Sequence, residues 1–144
     1  MRTVQTFLTE TVPRVVEPVL DAMLTPEERE SVQIRIVTAL PRRNPFRQRS
    51  DGTWIRIGAE FVPDALAEPE ERVPLRLDAP LGENEHQVEV RMADESVAIF
   101  LQEDEPDDRF AWRFANDVQD FVAESRFAWG QLRPLPDWVH DPWA

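Results

Sequence analysis

Between residues 107 and 129 the chain reads DDRFAWRFANDVQDFVAESRFAW, and on a 3.6-residue wheel this run separates into two faces. Phe110, Ala111, Phe114, Ala115, Val118, Phe121, Val122 and Trp129 share one arc, while Arg113, Asp117, Asp120 and Glu124 lie opposite. Pro106 breaks whatever precedes the run, Asp107 or Asp108 can accept the orphan N–H groups at its start, and acids in a first turn suit the helix dipole. Gly130 and Pro134 end it. The spacing predicts an amphipathic helix over 107–129 whose aromatic face requires an apolar surface to cover.

Segments of alternating character supply that surface. Residues 32–40, 53–61, 73–78, 86–92 and 96–102 each repeat with period two. Their inward sets are Val32, Ile34 and Ile36; Ile55, Ile57 and Phe61; Val73, Leu75 and Leu77; Val88, Val90 and Met92; Val97, Ile99 and Leu101. Such alternation predicts an antiparallel sheet covered on one face, with Ala93-Asp94-Glu95 joining the last two strands and Ser50-Asp51-Gly52 as a turn. Upstream, Val12, Val15, Val16, Val19, Leu20 and Met23 recur at helical spacing and predict a helix over about 12–24. Pro18 must kink or restart that helix, and Thr25-Pro26-Glu27-Glu28 reads as the start of another short turn. The expected architecture is α+β: a single domain over residues 1–144, with an antiparallel sheet of about five strands. N-terminal and C-terminal helices pack on one face of it. Residues 132–144 form an extended tail whose Trp138 and Trp143 need cover, and the other sheet face stays open or lies partly under that tail.

A chain of 144 residues buries roughly 68–70% of its unfolded surface, enough for a core without staples. It has no cysteine, which excludes disulfides, thiol catalysis and thiolate metal sites. MRTVQTFLTE has no long apolar run, so neither a signal peptide nor a membrane span is expected, and the expected location is cytoplasmic. The net charge is −12, and every one of the 16 basic residues is arginine, the usage of a GC-rich bacterial or phage gene. Acidity of this size repels nucleic acid and anionic membrane, and it suits a basic partner or serves solubility alone.

Two basic groupings stand against that background. Arg35, Arg56, Arg76 and Arg91 each sit between apolar neighbours, so on adjacent strands they would point one way, joined by Trp54 and Phe100. Like charges facing each other need a neutraliser, which could be the protein's own carboxylates, an acidic partner or a phosphate backbone. Arg42, Arg43, Arg47 and Arg49 crowd a loop at 41–51, as a solvated loop or a grip on an acidic group. The run Glu103, Asp104, Glu105, Pro106, Asp107, Asp108 is rich in hard-cation ligands, but proline breaks it and the calcium-loop spacing is missing, so it reads as a solvated acidic linker. Trp112 and Phe127 fall off the apolar arc, either under the tail or in an exposed patch. His86 and His140 are the only histidines, no nucleophile or phosphate-loop motif is present, and four glycines are too few to cradle a phosphate. No enzyme activity, cofactor or metal is therefore expected.

Residues 24–40, LTPEERESVQIRIVTAL, resemble the opening of small immunity proteins from bacterial polymorphic-toxin systems. This chain has Arg29 or Glu30 where those openings often carry an aromatic residue. Residues 114–129 are similar to the closing helix of small uncharacterised proteins of GC-rich bacteria. The resemblance implies a helix-plus-sheet fold and inhibition by binding, and it carries over no functional residue. The resulting expectation is a cytosolic protein that masks a basic partner, of the toxin or nuclease kind, with Trp112, Asp117, Asp120, Glu124 and Phe127. The alternatives are polyanion or nucleic-acid binding through Arg35, Arg56, Arg76 and Arg91, and a structural domain with no small-molecule site. Dimerisation through the open sheet face is left undecided.

Overall fold

Thr3 begins the architecture by accepting the N–H of Thr6 on its hydroxyl, so helical structure starts at Val4, eight residues before the expected start. The computed structural model describes residues 2–41, 46–48, 51–56, 61–63 and 75–143. Helix α1 (Val4–Thr6) runs into a π-helical segment (Phe7–Val16) and then into α2 (Glu17–Met23). In α geometry the ring of Pro13 would meet the carbonyl of Thr9, and the wider π turn relieves that clash. Ordinary α geometry resumes at Glu17 with Pro18 in the first turn, the restart its missing N–H requires. Helix α3 (Pro26–Glu30) opens with the full capping box of Thr25 and Glu28.

Strands β1 (Val32–Pro41), β5 (Glu83–Met92) and β6 (Glu95–Gln102) form the sheet, antiparallel throughout. The three-residue strand β4 (Phe61–Pro63) lies beside the end of β1, so the bonded order is β4-β1-β5-β6. Strands β2 (Phe46–Gln48) and β3 (Trp54–Arg56) pair with each other as a separate ladder. The sheet under the helices thus has three strands rather than about five. Of the two remaining segments, 53–61 is split between β3, in the separate ladder, and the short β4 at the end of β1, with 57–60 outside the described residues. The other, 73–78, has Val73 and Pro74 outside the described residues, and its remainder is not a strand. Its Leu77 and the following Ala79 accept the N–H groups of Gln5 and Val4, while Leu81 donates to Arg2. The segment therefore laces the start of the chain, which leaves Leu75 and Leu77 exposed.

Helix α4 (Asp107–Glu124) covers the inner sheet face as its pattern requires. Phe110, Ala111, Phe114, Ala115, Val118 and Val122 are buried with Val88, Val90, Met92, Ile99 and Leu101 from the strands and Val15, Val16, Val19 and Leu20 from the N-terminal helices. Phe110 meets Phe7 edge-on at 5.4 Å between ring centroids and stacks on Phe114 at 5.6 Å. Each such ring contributes about 2–3 kcal/mol of apolar burial. The opposite sheet face is not open at its centre: Val37, Gln87 and Glu89 are buried there. Nor does the tail lie on that face. Arg133 donates to the carbonyl of Met23 and to Glu28, Gln119 of α4 donates to the Arg133 carbonyl, and Val139 enters the core. Residues 131–143 therefore return along α4, from its end back to its beginning.

Candidate functional site

The exposed side of α4 is fixed by the same 3.6-residue period that buries its other side. Asp117, Asp120 and Glu124 face solvent, and none makes an ion pair with a described residue. Partial loss of solvent pushes the Asp117 carboxyl above its ordinary range, Arg113 pulls it back, and Asp120 adds repulsion. Many other acids are engaged. Glu105, with its side chain 5% exposed, takes Nε and Nη2 of Arg113 at 2.8 and 2.7 Å, and the same Nη2 donates to the Phe100 carbonyl. Asp107 pairs with Arg14 at 3.1 Å, and Asp94 and Glu95 hold Arg126. The acidic run is therefore braced at Glu105 and Asp107, with Arg2 donating to the carbonyls of Gln102 and Glu103, while Asp104 and Asp108 stay exposed as a solvated linker would have them. Among the described residues no cluster of three or more His, Asp or Glu is placed to hold a metal ion.

The aromatic candidates separate. Trp112 is half-buried against the core, whereas Phe127 is exposed, its ring 6.0 Å from that of Phe121. Sequence reasoning missed Trp129 and Leu132, which are 76% and 73% exposed just after α4. Trp129 sat on the apolar arc of a helix expected to reach it, but the helix stops at Glu124. Ser125 causes the stop. Its hydroxyl donates to the Val122 carbonyl at 2.7 Å and accepts the N–H of Ala128 at 3.1 Å, giving the backbone local partners in place of another helical turn. Gly130, with φ of 78°, then donates to Ala123 and closes the turn. Competition from the Ser125 hydroxyl was the available signal.

The four arginines do not form a row. Arg35 and Glu89 face each other across β1 and β5, and both carboxylate oxygens accept from the guanidinium at 3.0 and 3.2 Å. Arg91 stands opposite Gln33 and Ser96, and Arg56 lies in the separate ladder opposite Phe46. Arg76 is not in a strand and pairs with Asp78 at 3.3 Å. Arg35 and Arg91 do share the outer face of the β1–β5 pair, as diagonal neighbours with Glu89 directly opposite Arg35, but Arg56 and Arg76 lie outside that sheet, so the row of four is not formed. Of the basic loop, Arg42, Arg43 and Arg49 lie outside the described residues, and Arg47 is in β2.

A cleft of about 340 Å³ lies where the π-helical segment, the first turn of α4 and the tail meet. Val15, Ala111 and Val139 give it an apolar lining, with Arg14, Asp107, Asp108, Trp138 and His140 around them. Among the described residues that line it there is no serine or threonine. His86, by contrast, is buried, with Nδ1 2.9 Å from the Leu81 carbonyl oxygen. No helix among the described residues is long and apolar enough to cross a membrane. Comparison with family models, with curated proteins and with solved structures found no match for this chain.

Proposed function

We propose that this protein binds a basic protein partner through the exposed side of α4 and the turn that follows it. The observation that carries the reading is the sorting of the acids. Most carboxylates near arginines are already engaged, whereas Asp117, Asp120 and Glu124 are left to solvent on one helix face. That face leads directly into Phe127, Trp129 and Leu132, large apolar groups whose exposure is costly unless something covers them. Acids steer a cationic partner and set its orientation, and the apolar groups supply the slow-dissociating contact. Trp112 drops out of the contact set because it packs against the core, while Trp129 and Leu132 join it. A toxin or nuclease remains the partner class that the resemblance at residues 24–40 implies.

The test has two arms. Changing Asp117 and Asp120 to Asn and Glu124 to Gln should slow association and flatten its salt dependence, and Trp129→Ala should speed dissociation about tenfold. The probe is a partner captured from a host lysate and repurified, with an arginine-rich peptide of matched charge as control. Binding that survives the triple change with its salt dependence intact removes the electrostatic half of the proposal.

A further inference from the structure

We propose that the cleft between the π-helical segment, the first turn of α4 and the tail binds a small organic cation, an ammonium group carried on a flat aromatic body. Three separate parts of the chain build its apolar floor: Val15 from the π-helical segment, Ala111 from α4 and Val139 from the tail, all of them buried. Its volume of about 340 Å³ falls within the roughly 300–1,000 Å³ of small-molecule pockets. The wall supplied by the tail is pre-formed. Val139 donates its N–H to the Pro136 carbonyl at 3.0 Å and the Trp143 N–H donates to Asp141 at 2.8 Å, so the turn that carries Trp138 and His140 is held by its own hydrogen bonds.

The charges around the floor decide what it takes. Arg14 meets Asp107 at 3.1 Å, and those two offset each other. Asp108 accepts the N–H of Arg109 on one oxygen at 2.9 Å but meets no cationic side chain among the described residues, so its charge is open to a ligand. The positive end of α4 opposes this with only about half a charge, less than the two carboxylates in its first turn. The net charge of −12 adds a field that draws cations in and turns anions away. Trp138, in the same lining and 47% exposed, offers an indole ring for stacking and for cation–π attraction. An aromatic ring therefore buries against Trp138 and the aliphatic floor while its ammonium meets Asp108. A bare metal ion would leave the apolar part of the cleft unfilled, and an anion would meet Asp108 with like charge.

The cleft shares no residue with the acidic face of α4 or with the apolar turn after it, so either binding activity can be absent while the other is present. 2-Phenylethylamine, 2-phenylethanol and phenylacetate share a ring and a short chain and differ in charge. Each is titrated into the whole chain and followed by two-dimensional amide NMR. The amine is expected to bind with a dissociation constant on the order of a millimolar, the alcohol more weakly and the carboxylate most weakly, with shifts centred on Val15, Ala111 and Val139. Asp108→Asn, which keeps the oxygen that accepts the Arg109 N–H, should weaken the amine about threefold and leave the alcohol unchanged. Trp138→Ala, at an exposed position outside the core, should weaken both about tenfold. Nα-acetyllysine methylamide, an ammonium without a ring, separates a free aromatic amine from a lysine of another protein and should bind about tenfold more weakly or worse. No amide shift with the amine at tens of millimolar, a carboxylate that binds as tightly as the amine, an affinity indifferent to Asp108→Asn or to Trp138→Ala, or a lysine amide that matches the amine would each overturn the proposal.

Discussion

Ala93 is the single described non-glycine residue with positive φ, at 55°, in the two-residue loop between β5 and β6. A side chain there costs about 1–2 kcal/mol, whereas glycine adds back about 0.5–1 kcal/mol of unfolded-state entropy. Ala93→Gly should therefore raise stability by about 0.5–1 kcal/mol, read from the midpoint of chemical denaturation. Glu28 has two roles. It closes the capping box with Thr25 and grips Arg133 of the tail, and hydrogen bonding to Arg133 holds its carboxyl below the ordinary glutamate value. A carboxyl depressed in the folded state binds fewer protons there than when unfolded. Its contribution is complete above the unfolded pKa and fades as pH falls through the lower folded one. Glu28→Gln should cost about 1–2 kcal/mol at neutral pH, towards the low end because the pair's rim meets solvent. The gap between variant and wild type should close in acid, which denaturation across a pH series would follow.

At the level of elements, the sequence was most readable where one pattern acted alone over many residues. The 3.6-residue period placed six buried residues of α4 correctly, and the period of two did the same for Ile36, Val88, Val90, Met92, Ile99 and Leu101, though it left Val37, Gln87 and Glu89 on a face expected to be open. It failed where a short pattern had two explanations. Leu75-Arg76-Leu77 alternates like a strand, yet its backbone binds the first residues of the chain, a pairing that no local pattern encodes. The row of arginines failed for the same reason, since residue types were visible but register was not. The end of α4 was decided by one hydroxyl. Ser125→Ala should leave the buried Ala128 N–H without its acceptor and cost about 1–3 kcal/mol, seen as a lower denaturation midpoint. Restoring the hydroxyl with Ser125→Thr should recover part of that loss.

At the scale of the whole molecule, the acids among the described residues fall into two populations with different work. Glu28, Glu89 and Glu105 tie separate elements together by meeting Arg133, Arg35 and Arg113, whereas Asp117, Asp120 and Glu124 are left at the surface. The net charge of −12 averages over both populations and so could not identify a binding face. The tail adds a consequence of its own. Arg133, Leu135, Val139 and Trp143 each have a separate hold, on Glu28, on the core twice, and beneath Arg109 at 5.4 Å. A protease reaching the bared stretch around Trp129 and Leu132 would cut a covalent link that these holds duplicate. The clipped protein would then persist as two peptides in one fold, parting only when acid or denaturant releases the grip on Glu28.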